Sequence, residues 1–182
     1  MFEPQPRFVE GDGSTKAVAK RHGCVLFPTV VWITEQDFEF QMVENHEASS
    51  LFSGSVWDQN VTKLNVRSID VVKFFIENIS PNDYNYMRLD VEGAEYDILR
   101  VLISSGLGCW LGTVELEFHA THHKNNYNKR PLDVAYPWML RQCGVKVSVG
   151  NFYPEKFFLK GDQYCRHCDM LNDGGIDSKK HD

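Results

Sequence analysis

The absences narrow the field first. No stretch of the chain approaches the roughly twenty apolar residues that a membrane-spanning helix needs. The first residues lack the basic-then-apolar order of a secretory signal peptide. Both absences lead to the expectation of a cytoplasmic protein with no membrane span. No GxGxxG, GxxxxGK[ST] or GxSxG occurs, which disfavours dinucleotide, P-loop and α/β-hydrolase chemistry. Lys and Arg never cluster among aromatic residues, and the net charge is −6, so no nucleic-acid surface is expected. Five cysteines, odd in number and irregularly spaced, do not make a disulfide framework. Cys24 and Cys143 stand in apolar surroundings and read as core thiols, while Cys165-Arg-His-Cys168 is half of a zinc site with no second half.

What is present suffices for one domain. With 182 residues, 42% of them hydrophobic, the chain can bury a proper core. Residues 1–168 read as that domain and 169–182 as a flexible tail. The richest segment is 87–99, Met-Arg-Leu-Asp-Val-Glu-Gly-Ala-Glu-Tyr-Asp-Ile-Leu. Residues 84–91 have strand character, and Ile98, Leu99, Leu102 and Ile103 then fall on one helical face. Asp90 therefore ends a strand expected to be central and parallel, and Glu92 and Glu95 open the helix. Acids there are stabilised by unpaired N–H groups and the helix dipole. The alternative is that these acids merely cap and solubilise the helix, which accounts well for one or two of them but poorly for Asp90.

Elsewhere the pattern predicts a short helix over 13–21 and a β-prone segment over 24–33. A hairpin strand over 38–43 turns at Glu35-Gln36-Asp37, and 61–66 forms a short strand. A helix over 70–79 is capped by Ser68 or Asp70, and Pro81-Asn82-Asp83 turns the chain into the next strand. A strand over 113–119, a proline-opened helix over 131–142 and two strands, 145–149 and 156–159, antiparallel to each other, complete a three-layer α/β pattern. Glu115, Glu117 and His119 share one face of their strand because side chains alternate. If that strand lies parallel beside the one ending at Asp90, then Asp90, Glu117 and His119 flank one crevice. Such a crevice could activate a hydroxyl, bind a divalent ion or hold a cationic ligand. Alternatively, Glu117 pairs with Arg88 and His119 begins a surface loop. The histidines do not match a helical zinc motif, and no metal site is assigned.

The 87–99 segment resembles the signature of FkbM-type S-adenosylmethionine-dependent methyltransferases. Further pieces follow in family order: Phe2-Glu-Pro-Gln-Pro6, Val31-Trp-Ile, Phe38-Glu-Phe, Ser49-Ser50-Leu51, Ser68-Ile-Asp70, and the Glu117-Phe-His119 strand end. The resemblance implies a Rossmann-like class I methyltransferase sheet and transfer of a methyl group to a hydroxyl of a small molecule or glycan. By position it implies Glu3 as the acid that meets the cofactor's ribose, with Asp90 and Glu92 beside the cofactor. His119 is the first candidate for the base, since its ordinary pKa lies nearest neutrality, followed by Asp90, with Glu117 beside them. In that fold a strand and a glycine-rich loop precede the Glu-Pro segment, and this sequence shows neither. The expectation is thus an N-terminally truncated domain with weak or absent S-adenosylmethionine binding. Its exposed strand edge would be covered by 24–33 or by self-association. The alternative function is a catalytically impaired remnant that binds a partner through the same crevice.

Overall fold

The computed structural model describes residues 1–9, 15–43, 61–119 and 131–150. The 44–60 loop, the 156–159 strand, the Cys165–Cys168 pair and the tail fall outside them. Two short helices, α1 (Pro6–Val9) and α2 (Thr15–Arg21), lead to strands β1 (Val30–Trp32), β2 (Asp37–Val43) and β3 (Val61–Asp70). Then follow helix α3 (Val71–Asn78), strand β4 (Tyr86–Leu89), helix α4 (Glu95–Ser104), a 3-10 turn (Leu107–Trp110), strand β5 (Thr113–Leu116), helix α5 (Leu132–Gln142) and strand β6 (Lys146–Val149). The architecture is α/β, with two small three-stranded sheets and helices packed against them. One sheet is ordered β1-β3-β2 and the other β4-β5-β6.

Local chemistry explains most boundaries. The Asp70 carboxylate accepts the Val72 and Lys73 N–H groups at 2.8 and 3.1 Å and caps α3. Ser68, the other candidate, is buried inside the first sheet, where its hydroxyl donates to the Thr34 carbonyl at 2.7 Å. Gly106 ends α4 in the left-handed region at φ 76°, which a side chain would strain. Tyr96, Ile98, Leu99 and Leu102 of α4 are at most 1% exposed. They join Leu89, Val114, Leu116, Leu140 and Val147 in one core, on which Val31 and Trp32 of the other sheet also pack. Each such large side chain contributes about 1.5–3 kcal/mol through burial.

Several expectations are corrected. Residues 35–37 do not turn a hairpin: β2 pairs antiparallel with β3, while β1 pairs parallel with β3 at its far end. β3 is longer than periodicity indicated because its residues 61–67 pair with β2 and its last residues, 68–70, with β1. The 24–33 segment consequently gives its strand to β3 and does not cover β4. Among the described residues, β4's strand partner is β5, so it is parallel but outer in its sheet. β6 also runs parallel to β5. Cys24 is exposed, and Cys143 is not a core thiol but forms a disulfide with Cys109 across 34 residues. Among the described residues, no helix is long and apolar enough to cross a membrane.

Candidate functional site

β4 and β5 run parallel with Arg88 opposite Glu115 and Leu89 opposite Leu116. Continuing that register sets Asp90 opposite Glu117, with paired side chains on the same face. The Glu117 N–H donates to the Leu89 carbonyl at 3.0 Å and carries the pairing just past the last strand residue. His119, two residues further, returns to that face. The expected meeting of Asp90, Glu117 and His119 therefore takes place, at the carboxyl ends of two parallel strands.

His119 is at the centre. Its side chain is 3% exposed. Nε2 lies 3.5 Å from Glu92 Oε1, 3.7 Å from Asp90 Oδ1 and 3.9 Å from Glu117 Oε1. Nδ1 lies 2.7 Å from Oε1 of Glu95. Arg88 reaches the outer oxygen of Asp90 at 3.5 Å. Burial alone would depress the imidazole pKa. The hydrogen bond and charge of Glu95, with the charges of Glu92 and Asp90, outweigh that and raise it to about 9. At neutral pH the ring is therefore an imidazolium. The Glu117 carboxyl is raised above its ordinary value, chiefly by burial and then by the Asp90 charge beside it, with His119 and Arg88 opposing. A shared hydrogen bond with Asp90 adds to the rise.

The loop between β4 and α4 presents Glu92. Glu92 itself has φ 51° and Gly93 φ 103°, so two successive residues take left-handed backbone. For glutamate this costs about 1–2 kcal/mol, the kind of strain that clusters at functional sites. Glu95 answers for the loop. It is 0% exposed, accepts the Val91 N–H at 3.0 Å on Oε1 and the Gly93 N–H at 2.9 Å on Oε2. Reading Glu95 as an ordinary first-turn acid overlooked this role. A signal for it was present: Glu95 precedes Ile98, Leu99 and Leu102 by three, four and seven residues, which puts it on the buried stripe of α4. A carboxylate on such a stripe must be fully hydrogen-bonded to be tolerated.

One ligand atom from each of Asp90, Glu92 and His119 falls within 4.8 Å of the others. A divalent ion would fit that spacing only by displacing the ring proton, since an imidazolium has no lone pair to offer. Glu3 stands outside the carboxylates gathered round His119. Its Oε1 accepts the Gln5 N–H at 2.8 Å, and its own N–H donates to the Phe27 carbonyl at 3.1 Å.

The family model for the methyltransferase FkbM domain matches residues 1–147, most of the chain. The chain belongs to the FkbM methyltransferase family. No curated protein and no solved structure gives a match. Membership supports a methyltransfer-type function, and in this FkbM domain the residues with chemistry to offer converge on His119.

Proposed function

We propose that this FkbM domain transfers a methyl group from S-adenosylmethionine to a hydroxyl oxygen of a small molecule or glycan. The fold we assign is a Rossmann-like, three-layer methyltransferase sheet. One observation carries the reading: the carboxylates of Asp90, Glu92 and Glu117 surround a buried imidazole at the carboxyl ends of adjacent parallel strands, where such sheets bind ligands. S-adenosylmethionine supplies an electrophilic methyl group on a cationic sulfur. The donor set suits such a cation, because Asp90 and Glu92 gather their carboxylates at the strand ends beside His119. Glu3, a pure acceptor when ionised, would meet the ribose hydroxyls.

The neighbours' charges divide the remaining roles. A ring that keeps its proton at neutral pH is a poor base, so His119 acts in this proposal as a fixed donor that orients the acceptor oxygen. Glu117, its carboxyl raised toward neutrality, takes the hydroxyl proton, and Asp90 holds the acceptor beside it. Much of the rate would come from this positioning. Calorimetric titration of S-adenosylmethionine into the 182-residue chain tests the cofactor assignment. Weak but saturable binding at one site per chain, weakened further by Glu3→Gln and by Asp90→Asn, is the expected result. Absence of heat with the wild-type chain would sink the proposal.

A further inference from the structure

Glu95 does more than the first acid of a helix is asked to do. Capping accounts for its bonds to the Val91 and Gly93 N–H groups, which close the loop onto α4. It does not account for the third partner, Nδ1 of His119 at 2.7 Å, which comes from just past β5 and lies 24 residues away. We infer that Glu95 is a positioning residue: it locks the loop after β4 to the His119 ring and fixes Nε2 as the nitrogen presented to ligand. The methyl-transfer consequence rests on the function proposed above; the state of the ring does not.

The argument is one of donors and acceptors. An ionised carboxylate only accepts, so the atom facing Glu95 Oε1 must be a protonated Nδ1. The proton that can come and go is then the one on Nε2, and Nε2 is the atom facing Glu92, Asp90 and Glu117. Glu95 thus decides which side of the ring does chemistry. The same carboxylate holds the N–H groups on both sides of Glu92, whose left-handed backbone turns the Glu92 carboxylate toward Nε2. One buried residue therefore orients two groups of the site, and neither touches ligand through Glu95 itself. Glutamine cannot substitute fully. Its amide would set an N–H₂ against a loop N–H or against Nδ1–H, and either arrangement is donor against donor.

Long-range proton–nitrogen NMR on the full chain, labelled with ¹⁵N-histidine, reads both ring nitrogens directly. The expected wild-type result is an Nδ1 that stays protonated throughout the titration, with Nε2 losing its proton near the midpoint of about 9. Glu95→Gln should lower that midpoint by at least one pH unit. It should also reduce kcat roughly tenfold to a hundredfold, part of what a correctly protonated group contributes, with KM for S-adenosylmethionine little changed. A bare Nδ1 in the deprotonated wild-type ring overturns the inference, as does a Glu95→Gln ring that titrates like wild type. If that variant does not fold, the wild-type spectrum alone decides. A wild-type chain with the expected ring but no methyl transfer would refute the proposed function and leave the Glu95–His119 assignment standing.

Discussion

Glu95 and His119 meet at 2.7 Å inside the protein, one at the first turn of α4 and the other just past β5. Neither has appreciable access to water, at 0% and 2% exposure. The contact joins the two segments that the parallel sheet brings side by side, and it makes the ring's charge depend on the fold.

That dependence gives stability a pH profile. The folded His119 pKa, about 9, lies above the ordinary value of 6.5. Its contribution is therefore full below about pH 6.5 and is lost as pH rises through about 9. The groups that set it are Glu95, Glu92, Asp90 and Glu117, with Arg88 drawn to Asp90. The raised Glu117 carboxyl has the same sign in the acid range: its contribution falls as pH rises past its ordinary 4.5. For His119 the change should amount to about 3 kcal/mol, measured as urea midpoints from neutral to alkaline pH. The His119→Gln variant should flatten that window; an unchanged slope would falsify the assignment.

Asp90→Asn separates chemistry from folding. The Asp90 side chain is about one-third exposed, at 34%, and the basic groups it meets, Arg88 and His119, lie at 3.5 and 3.7 Å, so the folded state should lose little. Thermal midpoints within about 2 °C of wild type are expected, consistent with a change near 0.5 kcal/mol at an exposed site. Methyl transfer should fall at least a hundredfold, in keeping with the loss of a group that positions the acceptor. A large drop in melting temperature with activity retained would make Asp90 structural.

Tyr96 donates its hydroxyl to Asp133 at 2.6 Å, a buried bond that ties α4 to α5. Tyr96→Phe leaves Asp133 without that donor and should cost about 1–3 kcal/mol. A double-mutant cycle with Asp133→Ala, which removes the acceptor, measures the coupling. Additive effects would mean that the bond contributes nothing of its own.

The Cys109–Cys143 disulfide closes the 3-10 turn onto the end of α5 with Cα atoms 5.2 Å apart. A loop of this length should contribute about 3–4 kcal/mol through the unfolded chain. Cys143→Ser should lower the denaturation midpoint accordingly, and reductant should then leave the variant unaffected. Structural disulfides persist in oxidising compartments, so this bond offers a test of the cytoplasmic expectation drawn from the lack of a membrane span and of a signal-peptide pattern. Thiol alkylation and mass spectrometry of protein recovered from its native source should show both cysteines blocked. Free thiols at both positions would support that expectation.

Much of this protein was legible along the chain. The α3 and α4 helices, a cap at Ser68 or Asp70 and the turn at Pro81 are set within a few residues, by helical spacing and by side chains that reach their own backbone. The meeting of Asp90, Glu117 and His119 also followed, because alternation and parallel pairing place strand ends predictably. Strand partnership did not follow. β3 takes β1 at one end and β2 along its length, and a β-prone segment carries no mark of which neighbour it will choose. The cysteine pairing was likewise hidden, since spacing says nothing of which sulfurs the helices bring together. Sequence thus determined which residues have chemistry to offer and on which strand ends they stand. Only the tertiary structure decided the charge on His119, because a pKa depends on burial and on carboxylates brought from another segment. Glu95, buried on the core stripe of α4, is the one that reaches it.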